Sequence, residues 1–111
     1  SFDQVVRLAS EQGGLAIPAH VDRPGYSLFA NLGVVPAGVH LEGAEISRHI
    51  TAQAARQRYP SLQGLTLVQS GDAHRLAEMI AATRLALAER TLPELRLALR
   101  GEAGRSVEIV A

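Results

Sequence analysis

The sequence contains no cysteine. That excludes a disulfide framework and any thiolate metal site. It contains no lysine either: its eleven basic residues are all arginine, and eleven acids balance them to a formal net charge of zero. The balance argues against a nucleic-acid-binding surface, which draws on a basic excess. The missing lysine reads as codon or thermal bias rather than chemistry. No apolar run approaches the roughly 20 residues needed to cross a bilayer, and no signal-peptide pattern opens the chain. A cytoplasmic, non-membrane protein is expected. The only methionine is Met79, and the first residue is Ser1. The chain is therefore expected to be a piece of something longer, with any site in it short of some of its parts.

What is present fits one small domain or domain fragment spanning 1–111, since 47% of the 111 residues are hydrophobic. Val5, Val6, Leu8 and Ala9 form an apolar stripe that predicts a helix near the start, capped by Ser1 or Asp3 and stopped by Gly13-Gly14. "LAIPAH" follows as a wholly apolar strand of the kind buried on both faces of a parallel sheet. A loop and a short helix are expected over "VDRPGYSLFANLG", and a second strand near Ala44 to Ser47. Thr51 precedes the Ala-rich helix "AQAARQRY", which ends at Tyr59-Pro60. "GLTLVQS" is the third strand, "HRLAEMIAA" a helix and "TRLALAE" a strand. Thr91 and Glu94 form a capping box for "LPELRLALRG", Gly101 stops that helix, and "SVEIVA" closes as a strand. This alternation predicts an α/β fold with a mainly parallel sheet.

In such sheets functional polar residues gather at the carboxyl ends of the strands. Asp72 and His74 stand at i and i+2 where "LTLVQS" runs out, beside Gly71. A carboxylate and an imidazole suit zinc, manganese or iron. His20 leaves a neighbouring strand, so His20, Asp72 and His74 can converge at one rim. Plainer roles stay open. Asp72 serves equally as the cap of a helix at Arg75 to Ala81. His20 serves as a hydrogen-bonded loop histidine, His40 as an exposed one, and His49 as a flank of the next helix. Glu45 lies in an apolar strand where an unpaired charge is costly. It either pairs with Arg23 or Arg48 or belongs to a site. Arg23 either binds a phosphate or pairs with Glu45.

Together, "GGLAIPAHVDRP", "GAEISRH", "QSGDAHRLAEM" and "TLPELRLALRG" resemble the carboxyl-terminal half of PHP domains, the polymerase-and-histidinol-phosphatase superfamily of metal-dependent phosphoesterases. The resemblance runs roughly from Phe2 to Arg105. It implies a partial, distorted β/α barrel with a cluster of zinc, manganese or iron ions at the strand ends. It further implies that His20, matching the third motif, and Asp72 and His74, matching the last, are metal ligands. Arg23 and Glu45 become candidate substrate contacts, and the substrate a phosphorylated small molecule or nucleotide. The departures are the absent His-x-His first motif, the absent second-motif glutamate, Val21 where proline usually follows the histidine, and Ser70-Gly71-Asp72 where Gly-Ser-Asp is commoner. The isolated chain is expected to be inactive, with its missing amino-terminal half as its natural partner. The alternative is a non-catalytic α/β packing or partner-binding module derived from the same fold. Either way, an open half-barrel exposes sheet edges and is expected to tend toward a homodimer.

Overall fold

The computed structural model describes residues 1–23 and 40–110. The helix expected within "VDRPGYSLFANLG" lies outside them. The chain is α/β. Helix α1 (Phe2–Glu11) opens it, with Ser1 at the N-cap and the Ser1 amine donating to Gln4 Oε1 at 2.9 Å. Strand β1 (Ala44–Ile46) leads to α2 (Ala52–Arg58), then β2 (Leu67–Gln69) and β3 (Thr83–Ala86). Helix α3 (Leu92–Arg100) and strand β4 (Ser106–Ile109) complete it. Among the described residues, no helix is long and apolar enough to cross a membrane.

Strands β1 and β2 are parallel, in the register Ala44 to Leu67, Glu45 to Val68 and Ile46 to Gln69. Because side chains alternate across a strand, Ala44, Ile46, Leu67 and Gln69 turn to one buried face. Glu45 and Val68, only half buried, take the other face. Val21, Ala44, Ile46, Ala55, Leu62 and Leu67 form the core under that sheet. Helix α2 contributes Ala55 to it, and Thr51 caps the helix by accepting the Ala54 N–H at 3.1 Å.

The segment expected as a strand over 15–20 runs beside β1 without completing a ladder. The Glu45 N–H donates to Pro18 O and Glu45 O accepts from the Val21 N–H, both at 2.9 Å. One residue straddled by two on its neighbour is the parallel pattern, here stretched by one extra residue. His20 is that residue, with φ of 33°, so the segment is a bulged edge rather than a regular strand.

The expectation of a mainly parallel sheet needs correction, because β3 and β4 are antiparallel, Thr83 opposite Ile109 and Ala86 opposite Ser106. Among the described residues the strands make one parallel and one antiparallel pair, and no closed barrel. The cause lies at the end of α3. Gly101 takes the left-handed conformation at φ 64°, and the Arg105 guanidinium then grips the Glu94 carboxylate at 2.8 and 3.0 Å. Glu94 sits in the first turn of α3. The chain has therefore doubled back along the helix to where β3 ended, and β4 runs from there in the opposite direction. That grip, with the Ala88 N–H, holds the Glu94 carboxyl below its ordinary pKa. It also leaves the capping box half made: Thr91 Oγ1 accepts the Glu94 N–H at 3.3 Å, while the Glu94 side chain goes to Ala88 and Arg105.

The helix expected over "HRLAEMIAA" is a second correction. Only a single 3-10 turn forms there, Leu76–Glu78. Arg75 is extended, with φ of −140° and ψ of 156°. Leu76 and Met79 are 87% and 68% exposed. A short helix needs an apolar face to bury, and among the described residues nothing covers this one.

Candidate functional site

Three chain segments end at one edge of the parallel pair: 18–23 beside β1, Ser47–His49 after β1, and Ser70–His74 after β2. Between them lies a cavity of about 360 Å³ lined by Arg23, Ser47, Arg48, His49, Ser70, Gly71, Asp72, His74 and Glu78. Its walls are polar and carry charges of both signs.

A carboxylate joins the first two segments. Asp22 Oδ1 accepts the Ser47 N–H and Oδ2 accepts the Ser47 hydroxyl, each at 2.6 Å. Ser47 Oγ accepts in turn from the His49 N–H at 3.2 Å. The buried Gln69 side chain donates to Ser47 O and Ile50 O, both at 2.9 Å. That ties the turn after β1 to the last residue of β2. The Thr83 hydroxyl brackets Gln69 from the far side, accepting its N–H at 2.8 Å and donating to its carbonyl at 2.7 Å.

The loop after β2 is shaped by its own side chains. Asp72 adopts φ of 50°. His74 Nδ1 lies 2.8 Å from Asp72 O; a carbonyl can only accept, so Nδ1 is the donor. Glu78 Oε2 accepts the His74 N–H at 2.8 Å, which folds the segment 72–78 into a closed loop. Gly71 is required there. A Cβ at that position would stand 2.5 Å from Glu78 O and 3.3 Å from Ile80 Cγ1. Gly71→Ala is expected to push the 78–80 backbone outward and cost about 1–3 kcal/mol of stability, the usual range for overpacking. Urea denaturation of the variant checks it, and an unchanged midpoint would show that the loop gives way freely.

Of the five residues singled out in the sequence, three meet in this cavity and two do not line it. Asp72 and His74 are exposed in its wall. Arg23 reaches them from the first segment, Nη1 donating to Asp72 Oδ2 at 2.6 Å. Its partner is thus Asp72, not Glu45. Glu45 instead turns to His20: Oε1 accepts the His20 N–H at 3.2 Å and lies 3.9 Å from His20 Nδ1. It satisfies the amide that the bulge released from the ladder. Asp72 does not cap a helix, since none follows it. Among the described residues, no three histidines, aspartates or glutamates are grouped closely enough to enclose a metal ion.

Sequence reasoning passed over Asp22, Ser47 and Glu78, and gave His49 only a flanking role. Asp22 was visible as the acid between His20 and Arg23, and Ser47 as the polar residue ending β1. Their pairing across 25 positions had no local signature.

No protein-family model, curated protein or solved structure gives a significant match to this chain.

Proposed function

We propose that this chain is the carboxyl-terminal part of a metal-dependent phosphoesterase of the PHP type, contributing part of a distorted β/α barrel. The substrate class is a phosphorylated small molecule or nucleotide. One observation carries the reading. Among the described residues, three non-glycine residues have positive φ, and two of them are His20 and Asp72. His20 lies at the end of the segment beside β1, and Asp72 in the loop that follows β2. Positive φ is uncommon outside glycine, though less so for aspartate and histidine, and such positions concentrate at turns and functional sites.

The donors fit two ligands of a divalent ion. Asp72 keeps one carboxylate oxygen clear of Arg23. His74 has its Nδ1 held by a carbonyl, the usual outer contact of a ligating histidine, which leaves Nε2 as its ligating atom. Zinc, manganese or iron suits such nitrogen and oxygen donors. A bound ion would supply polarisation of a phosphoryl oxygen and a lowered water pKa. The chain's own residues orient: Asp22 and Ser47 fix the loop that carries Arg23, and Glu45 fixes the backbone that carries His20. The remaining ligands would come from the missing amino-terminal half.

In the full-length protein, Asp72→Ala and His74→Ala are each expected to reduce manganese- or zinc-dependent phosphoester hydrolysis by at least about a hundredfold, the scale of losing an electrostatic contact to developing charge. Steady-state rates decide it, and turnover unchanged in both variants would sink the reading. The alternative is a non-catalytic packing or partner-binding module. A His-x-His strand upstream in the parent protein favours the enzyme.

A further inference from the structure

The two carboxylates that line the cavity after β1 and β2 are already engaged. Asp72 Oδ2 accepts from Arg23 Nη1 at 2.6 Å. Glu78 Oε2 accepts the His74 N–H at 2.8 Å, and Arg75 Nε lies 3.7 Å from Glu78 Oε1. Asp22, which does not line the cavity, gives both oxygens to Ser47. What the lining still offers is donors. Among the described residues no carboxylate pairs with the Arg48 guanidinium, which lines the cavity. Arg23 gives Nη1 to Asp72 and keeps Nε and Nη2 for another acceptor. The His49 imidazole and the Ser70 hydroxyl each add a donor. His74 is left out of this count because its Nδ1 proton is held by Asp72 O. We propose that this cavity is an oxyanion site, in which Arg48 and Arg23 clamp the phosphate group of a small phosphomonoester. The inference rests on the reading above for its ligand class alone and needs no metal ion. Two guanidinium forks match the oxygens of a phosphate group, and a volume of about 360 Å³ is at the low end for a small-molecule pocket. The clamp is also held ready. Arg48 lies between two residues whose N–H groups are fixed, Ser47 by Asp22 and His49 by Ser47 Oγ. Arg23 is held by Asp72. Donors positioned in advance lose less freedom when the ligand arrives.

The test is an amide NMR titration of the 111-residue chain in EDTA, at fixed pH and ionic strength. The probes are inorganic phosphate and phenyl phosphate. Both are expected to give saturable shifts in the millimolar range, centred on the amides of Arg48, His49, Ser70 and Gly71, with phenyl phosphate bound at least as tightly. Arg48→Gln and Arg23→Gln are each expected to weaken binding by at least about tenfold, the scale of one charge-assisted hydrogen bond. Arg90→Gln removes an exposed arginine outside the lining and is expected to change nothing. The spectrum of each variant without ligand shows that it is folded. Affinity unchanged in Arg48→Gln or in Arg23→Gln overturns the inference. So does an equal loss in Arg90→Gln, inorganic phosphate bound while phenyl phosphate is refused, or no saturation with either probe. Each of those results leaves metal-dependent hydrolysis by the full-length protein to its own test. Phosphate bound in EDTA, beside a full-length protein that hydrolyses nothing, would keep the oxyanion site and sink the enzyme reading.

Discussion

Replacing Asp22 by alanine is expected to lower the unfolding free energy by about 3 kcal/mol. The carboxylate accepts two short hydrogen bonds from Ser47, and bonds to a charged group contribute roughly 1.5–3 kcal/mol each. Ser47 is only 6% exposed, so its amide and hydroxyl would be left desolvated without partners. Asp22→Asn retains one acceptor oxygen and is expected to cost about half as much. Urea denaturation measures both, with an unchanged slope showing that the compactness of either state has not moved. A loss below about 0.5 kcal/mol, the ordinary scatter for surface substitutions, would mean that the Asp22–Ser47 bridge does not join the two loops. The alanine change would also free the segment carrying Arg23 from the turn carrying His49, loosening two walls of the cavity together.

The second large effect separates function from stability. At φ of 50°, Asp72 holds a conformation that glycine adopts without penalty. Asp72→Gly is therefore expected to stay within about 1 kcal/mol of the original stability while losing Mn²⁺ binding entirely. Asp72→Ala is expected to lose binding as well, and to cost about 1 kcal/mol more than the glycine variant because Cβ clashes in left-handed backbone. His20→Gly is likewise expected to stay within about 1 kcal/mol of the original stability, at φ of 33°. The His20 amide that donates to Glu45 belongs to the backbone, so that bond survives the change. Thermal unfolding together with metal titration reads both effects. Should Asp72→Gly prove as damaging to stability as Asp22→Ala, the carboxylate would be there to hold Arg23 and the loop, not a ligand.

Much of the scaffold was legible because its signals are local. Thr51 before an Ala-rich run, Thr91 before Glu94, and Gly101 after a helical stripe each announce a helix end within a few residues. β1, β2, β3 and β4 all lie within the expected strands. The failures share a cause: each was decided by partners distant in sequence or by packing. The helix over "HRLAEMIAA" had adequate propensity but, among the described residues, no surface to bury against. The antiparallel return of β4 was set by Arg105 reaching back to Glu94 across a turn, which no strand pattern records. The bulge at His20 depended on pairing with Glu45.

Part of the cavity's lining was legible, and its arrangement was not. Asp72, His74 and Arg23 do share a cavity wall. Yet a reading of types and spacings could not say that Arg23 would choose Asp72 over Glu45. Both acids lie within reach of a rim arginine on paper. In the structure Glu45 serves the His20 amide, Asp22 ties the segment carrying Arg23 to Ser47 in the turn after β1, and Arg23 reaches Asp72.

The most direct measurement is a residue-resolved amide NMR spectrum of the chain titrated with substoichiometric Mn²⁺, whose unpaired electrons broaden nearby signals. The account predicts that broadening begins at Asp72 and His74, spreads to the amides of Ser47 to His49 across the cavity, and disappears in His74→Ala. Uniform weak broadening, or broadening centred on the acids of α1, would contradict it: the strained loop after β2 would then be no metal-binding element, and the phosphoesterase reading would lose its support in this chain.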